Sequence, residues 1–306
     1  MAKYLVTGGC GFIGSHLVER LIKRGDQVRI LDDLSTGKRE RTPQTAELII
    51  GSITEKSKLK KALSGVDGCF HLAAVASVEI SIKKWSTTHL VNLFGTIQLF
   101  ETIAEQGHPI PVVYASSAAV YGGSDKFPLK ENEPASPLSP YGADKLGCEQ
   151  QAAVAYHLYQ IPSVGFRIFN AYGPNQDPSS PYSGVIALFN DKIAQGSPIT
   201  IFGDGERQRD FVYVGDVVRF LLAAMERKNT RAEIFNLCTG CGTSINRLAQ
   251  LIGEVAQKEV KREYQPSRKG DLPLSIGDPT KAESYFGIKT IIPIEEGLME
   301  IKKVLK

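Results

Sequence analysis

The chain has no apolar run approaching the roughly twenty residues that a membrane-spanning helix needs, which argues against a bilayer protein. It also lacks a surplus of either charge. Its 36 Lys and Arg against 33 Asp and Glu leave a net +3, too small to point to a nucleic-acid or membrane-surface partner. Cysteine is sparse and odd in number. Cys10, Cys69, Cys148, Cys238 and Cys241 are scattered, which suits reduced thiols in a cytoplasmic enzyme rather than a disulfide framework. Cys238 and Cys241 form a C-x-x-C. No second C-x-x-C or paired His accompanies it, so no metal site is expected, and the pair reads as a strand end followed by a glycine turn. Internal repeats and low-complexity stretches are absent, and the opening residues run directly into a strand pattern rather than a signal peptide. What remains is an ordinary soluble composition over 306 residues, enough for one large or two closely joined domains.

The most informative stretch is Val6-Thr7-Gly8-Gly9-Cys10-Gly11-Phe12-Ile13-Gly14, with glycines spaced G-x-x-G-x-x-G. Ala2 to Val6 reads as a buried strand. Gly14 to Arg24 carries Leu17, Val18, Leu21 and Ile22 at helical spacing, and Gln27 to Leu31 reads as a second strand ending at Asp32-Asp33. Strand, glycine turn, helix, strand and carboxylate in that order describe a dinucleotide-binding unit. The pyrophosphate of such a ligand sits on the helix N-terminus, where free N–H groups and the helix dipole favour an anion. The carboxylate accepts hydrogen bonds from the adenosine ribose and would repel a 2′-phosphate, so Asp32 favours NAD over NADP. Lys38 and Arg39 lie just beyond and would soften that preference.

The first half continues to alternate. Glu47 to Ile50, Gly68 to Leu72, Pro111 to Ser116 and Val164 to Phe169 read as strands. Glu55 to Leu63, Ser86 to Glu105 and Tyr141 to Tyr159 read as helices. Such alternation predicts an α/β fold with a doubly wound parallel sheet. From Gly173 onward prolines break the pattern. Residues 1–170 are therefore expected to form a Rossmann domain and 171–306 a smaller, interleaved substrate-binding lobe. Part of the lobe near 211–238 is expected to return to the first domain, Phe211 to Val214 among it.

Tyr141-Gly-Ala-Asp-Lys145 places a phenol and an ammonium at i and i+4 on one helix face, after a Ser139-Pro140 helix start. An adjacent cation favours the phenolate, which suits a tyrosine to proton abstraction. Ser116-Ser117 closes the fifth strand, and in a doubly wound sheet the C-terminal strand ends line the ligand crevice. Ser117 is thereby placed to share a substrate hydroxyl proton with Tyr141.

With the glycine segment, His71-Leu72-Ala73-Ala74, Ser116 to Gly122, Tyr141 to Lys145, Arg167 to Pro174, Arg209 to Val214 and Arg268-Lys269-Gly270-Asp271, the chain resembles the extended short-chain dehydrogenase/reductase superfamily. Within it, the likeness is to the nucleotide-sugar epimerases and covers essentially the whole length. The resemblance implies a bound NAD. Gly8, Gly11, Phe12, Ile13 and Gly14 would hold its pyrophosphate and Asp32 its adenosine ribose, with Asp33, Ser35 and Gly37 also in the cofactor site. Ser52 would border the adenine, and Ile53 belongs to the same cofactor-binding set. Leu72, Ala73, Ala74, Ala76 and Asn92 would line the remainder, with Tyr141 and Lys145 at the nicotinamide ribose. Two positions depart from the pattern: Ser52 stands where an aspartate usually contacts adenine, and Ala76 where many glucose/galactose epimerases have a lysine.

The resemblance also implies a reaction. Relatives that dehydrate or decarboxylate sugar nucleotides usually carry acids after the strand-end residue, whereas Ser117 is followed by Ala118 and Ala119. That pattern is similar to a 4-epimerase, in which Ser117, Tyr141 and Lys145 serve a reversible oxidation at C4 of a UDP-hexose. Asn170, Val185, Arg209, Arg268 and Asp271 are implied to bind the nucleotide. A guanidinium fork suits phosphate oxygens better than a lysine does. Ser275, small where glucose/galactose-only enzymes have tyrosine, would leave room for an N-acetyl group at C2, and the run Gln176 to Ile186 resembles the substrate loop of members that accept one. A homodimer through a four-helix bundle, from the helices near Ser86–Glu105 and Tyr141–Tyr159, is implied too. A UDP-uronic acid 4-epimerase or a nucleotide-sugar 4-reductase on the same scaffold remains open at this point, as does a non-catalytic NAD-binding sensor or scaffold.

Overall fold

The computed structural model describes residues 1–124, 126–178, 180, 184–227, 230–267 and 274–304. The chain divides into two compact units. One takes Met1–Gly122, Pro134–Arg167 and Val218–Phe235, the other Gly123–Glu133, Ile168–Val217 and Asn236–Lys306.

From the N-terminus run β1 (Lys3–Thr7), α1 (Phe12–Lys23), β2 (Gln27–Asp32), β3 (Glu47–Ile50), α2 (Lys56–Leu63) and β4 (Gly68–His71). Then come α3 (Val78–Lys83), α4 (Trp85–His89), α5 (Gly95–Glu105), β5 (Val112–Ser117), α6 (Pro140–Tyr159) and β6 (Ser163–Ile168). The second half holds β7 (Asn170–Tyr172), α7 (Val185–Ala194), β8 (Ile199–Phe202), β9 (Gln208–Tyr213), α8 (Val214–Met225) and β10 (Ala232–Leu237). It ends with β11 (Gly242–Ser244), α9 (Ile245–Ala256), β12 (Arg262–Gln265), β13 (Leu274–Ser275), α10 (Thr280–Phe286) and α11 (Ile294–Val304).

The large sheet is parallel and seven-stranded, in the order β10-β6-β5-β4-β1-β2-β3. Every residue of β4 and β6 is buried, as expected for strands covered on both faces. The winding reverses direction between β1 and β4, and this switch point is where doubly wound sheets bind ligands. Thr7 pairs with Leu31 on one side and His71 on the other, and His71 with Tyr114, so the C-terminal strand ends stand side by side. Beneath them Leu5, Leu59, Leu99, Ile103, Val112 and Ala152 form the apolar core.

Local signals account for the helix that matters most. Ser139 caps α6 by accepting the Gly142 amide at 3.1 Å, and Pro140 opens its first turn. A Cβ on Gly142 would stand 2.5 Å from the Ala119 carbonyl oxygen, so glycine is what allows α6 to close onto the 3-10 turn Ala118–Tyr121. The expected helix from Ser86 to Glu105 is present but includes a π-helical turn at Leu90–Phe94, where the Gly95 amide reaches back to the Leu90 carbonyl.

In the second unit β9 pairs with β7, β11 and β13, and β8 with β12. Tyr172, Ile186, Phe189, Phe211, Leu248 and Leu298 make its core. Of the segment near 211–238, Val218–Phe235 falls in the first unit, whereas the strand at Phe211–Val214 does not join the large sheet. That place is taken by β10, and both runs are short and apolar, so membership is decided by partners distant along the chain. Among the described residues no helix is long and apolar enough to cross a membrane.

Candidate active site

The turn after β1 has the shape of an anion cradle. Gly8 adopts φ +69°, and a Cβ there would stand 2.7 Å from the Ala73 amide nitrogen, so the turn lies directly against the segment leaving β4. Helix α1 starts after Gly11 with no side-chain cap and no acid in its first turn, leaving the N-terminal amides of Phe12, Ile13 and Gly14 for an anionic ligand.

Asp32, 7% exposed, accepts the Cys10 amide at 2.9 Å and the Leu34 amide at 2.8 Å. Burial pushes its carboxyl upward, and the Leu34 and Cys10 donors pull the other way. Ribose hydroxyls would add donors to the same carboxylate. Asp33 accepts the Ser35 amide at 2.9 Å, shaping the turn that leads to Gly37. Arg39 spends its guanidinium within its own loop, on the Thr42 carbonyl at 3.3 Å, the Thr42 hydroxyl at 2.5 Å and the Pro43 carbonyl at 3.2 Å. That engagement supports the preference for NAD at Asp32. Ser52 is bonded to Thr54 Oγ1 at 2.8 Å and its amide to Glu55 at 2.8 Å, and the buried Ile53 offers its carbonyl to Gln98 at 2.9 Å. Asn92 accepts the Val75 amide at 2.8 Å and donates to the Val75 carbonyl at 3.2 Å, fixing the Leu72–Ala76 segment from the helix side. The glycine cradle, uncapped helix and ribose-facing carboxylate fit a dinucleotide.

Ser117 ends β5, and Tyr141 and Lys145 lie one turn apart on α6, which is bonded to β5. Ser117 caps the 3-10 turn by accepting the Ala119 amide at 3.1 Å. Lys145, 5% exposed, donates from Nζ to the Ala115 carbonyl at 2.8 Å, and its Nζ lies 5.9 Å from the Tyr141 ring centroid. The ammonium thus ties the Tyr141 helix to the strand that ends in Ser117.

Below this layer is a buried network that the sequence reading did not single out. Ser116 donates to Glu149 Oε1 at 2.5 Å, and Arg167 grips the same carboxylate at 2.9 and 2.8 Å. The guanidinium also stands 4.7 Å over the Tyr121 ring. Tyr141, Lys145 and Glu149 follow one another at i, i+4 and i+8 on α6, and that spacing was the available signal.

The second unit gathers three of its expected residues on one sheet. Arg209 is in register with Ser275, and Asn170 donates to the Asp210 carbonyl at 3.1 Å. Arg209 donates from Nη1 to the Gln208 carbonyl at 2.9 Å. Val185 opens α7, whose N-cap Gly184 has no side-chain cap. Arg268 and Asp271 lie outside the described residues, as do Ser179 and Pro181-Tyr182-Ser183 of the expected substrate loop. Cys238 is buried and Cys241 exposed, and both are free. Their turn is held by the fully buried Asp210 carboxylate, which accepts Thr239 N at 2.8 Å, Thr239 Oγ1 at 2.7 Å and Gly240 N at 2.9 Å. Among the described residues no cluster could hold a metal ion.

Comparison with known proteins agrees with this geometry. Residues 4–238 match the model of the NAD dependent epimerase/dehydratase family. The chain is similar to a putative UDP-glucose 4-epimerase of Methanocaldococcus jannaschii, at 37% identity over 99% of this chain and 98% of the relative. Among solved structures it is similar to a UDP-glucose 4-epimerase of Thermotoga maritima with UDP-glucose. That likeness has a TM-score of 0.95 at 38% identity, covering 99% of this chain and 98% of the other. It is likewise similar to a UDP-N-acetylglucosamine 4-epimerase of Methanobrevibacter ruminantium in complex with UDP-N-acetylmuramic acid, with a TM-score of 0.94 at 34% identity and the same coverage, 99% and 98%. The dinucleotide cradle, the strand-end serine beside the tyrosine–lysine pair and a match spanning most of the chain lead to one conclusion: this protein belongs to the NAD-dependent epimerase/dehydratase family.

Proposed function

We propose that this enzyme is an isomerase that inverts C4 of UDP-hexoses, accepting UDP-N-acetylglucosamine and UDP-N-acetylgalactosamine as well as UDP-glucose and UDP-galactose. One observation supports the reading: Lys145, one turn along the helix from Tyr141, bonds the strand that ends in Ser117, and the turn that follows runs Ala118-Ala119-Val120-Tyr121, without an acid to drive elimination or loss of carboxylate. Ser117 and Tyr141 hold the substrate O4 hydroxyl between two oxygens. Tyr141 takes its proton and later returns it, while Ser117 keeps the oxygen oriented. Lys145 places its ammonium 5.9 Å from the Tyr141 ring and fixes the helix that carries the phenol. The glycine cradle and Asp32 would hold NAD, whose chemistry there would be reversible acceptance of hydride from C4.

In this reading Asn170, Arg209 and Arg268 bind the diphosphate, Asp271 holds the nucleotide ribose, Val185 adds to the substrate site and Ser275 borders the C2 substituent. Relatives named for both UDP-glucose and UDP-N-acetylglucosamine support a broad sugar range. A cytoplasmic homodimer is part of the proposal. Exposed Leu90 and Phe94 on one helical segment and Val154 and Leu158 on α6 supply the apolar surface that a four-helix contact would cover.

The test is proton NMR of the purified protein with UDP-N-acetylglucosamine and with UDP-glucose. Appearance of the galacto epimer in both is the expected result, and Ser275→Tyr should remove turnover of the N-acetyl sugar while sparing the other. Equal loss on both would defeat the gating role. Inversion of UDP-glucuronate alone would defeat the neutral-sugar assignment.

A further inference from the structure

His71, at the end of β4, is 5% exposed and sits between two threonines. Its Nδ1 is 2.7 Å from Thr7 Oγ1 and its Nε2 is 3.0 Å from Thr96 Oγ1. The neighbours settle the direction of each bond. Thr96 lies 2.6 Å from the Asn92 carbonyl, which can only accept, so the one Thr96 proton is committed there and Oγ1 must accept from His71 Nε2–H. On the other side Thr7 Oγ1 already accepts the Leu72 and Ala73 amides, each at 3.2 Å. A third donor would exceed its lone pairs, so the Thr7 hydroxyl donates to Nδ1. His71 is therefore the neutral Nε2–H tautomer. Burial and then the Lys145 charge push its ionisation down to about 3, in keeping with that state.

The result is a one-way chain of hydrogen bonds: from the Leu72 and Ala73 amides to Thr7, from Thr7 to His71, from His71 to Thr96 and from Thr96 to Asn92. Cys148 joins at the far end, its Sγ 3.3 Å from Thr96 Oγ1. The near end is the peptide against which Gly8 packs, so the Leu72–Ala73 backbone hangs on the imidazole through Thr7; the far end is a backbone carbonyl of the neighbouring helix, whose Asn92 side chain separately holds Val75. We infer that His71 is a positioning residue for the dinucleotide: anchored on the helix by Thr96, it sets through Thr7 the backbone that the cofactor lies against. The inference concerns NAD binding and holds whichever sugar is turned over.

Two measurements on the full-length protein test it. Nitrogen-15 NMR of the histidine ring should show Nε2 protonated and Nδ1 bare near neutral pH. A protonated Nδ1, or two protonated nitrogens, would overturn the relay. For the second, NAD retained after gel filtration is compared among His71→Phe, His71→Gln and Thr96→Val, with circular dichroism and thermal melts as the check on folding. Gln has the same acceptor-and-donor pair as the assigned tautomer and should hold NAD within about threefold of the parent. Folded His71→Phe, which leaves the Thr7 and Thr96 hydroxyls without the imidazole, should bind it about tenfold more weakly, the scale of one lost buried hydrogen bond, and Thr96→Val should fall between. Parent-like retention in folded Phe and Val variants would overturn the positioning role. Should the Phe variant fail to fold, the Val and Gln variants and the ring spectrum decide the matter.

Discussion

At the scale of single residues, buried polar groups with defined partners, His71 and Glu149 among them, hold the site in shape. His71 makes a pH prediction. Its ordinary value of 6.5 falls to about 3 in the fold, so between those limits the unfolded chain binds a proton that the folded chain does not. This contribution to stability is complete above the ordinary value and is lost as the pH falls toward the lower one. Thermal melts from about pH 7 down to about pH 4 should show a declining midpoint, with a shallower decline in His71→Gln. An identical slope in the two proteins would contradict the buried neutral state. Glu149 makes a second prediction. Glu149→Gln leaves the Arg167 charge, 6% exposed, without its anion, and should cost about 3 kcal/mol in denaturant unfolding. It should also lower kcat more than it raises KM, because the network secures both the Ser117 strand and the Tyr141 helix.

At the scale of elements, the site depends on how α6 meets β5. Gly142→Ala would favour the helix locally by about 1 kcal/mol, yet its Cβ would press on the Ala119 carbonyl. The expected outcome is a roughly tenfold loss of kcat together with a lower melting temperature, because the atom in the way is backbone and one of the two elements must shift. A parent-like kcat would show that the close approach is not required. This element was legible in the sequence because its signals are local: Ser139-Pro140 at the start and Tyr141, Lys145 and Glu149 along one face. The glycine turn was legible for the same reason, since Gly8, Gly11 and Asp32 act within one strand-turn-helix-strand unit. The destination of Phe211–Val214 was not, because β9 is assigned by pairing with β7, β11 and β13. Nor was the π-turn at Leu90–Phe94, or the link from His71 to Thr7 and Thr96, whose partners are 64 and 25 residues away.

At the scale of the whole molecule, the exposed apolar residues on the helices are expected to be covered by a second copy. Replacing both Phe94 and Leu158 with Glu should convert a dimer to a monomer in sedimentation analysis, and an unchanged mass would remove that surface from the account. The reaction itself is tested most directly in D₂O. A UDP-hexose turned over by this protein should invert at C4 while keeping its original hydrogen, because hydride would pass to the bound NAD and back without meeting solvent. Tyr141→Phe should keep NAD and lose turnover by at least about a hundredfold. Inversion with protium retained at C4 is the predicted result. Deuterium at C4, or no inversion of either neutral sugar with NAD supplied, would contradict the proposal.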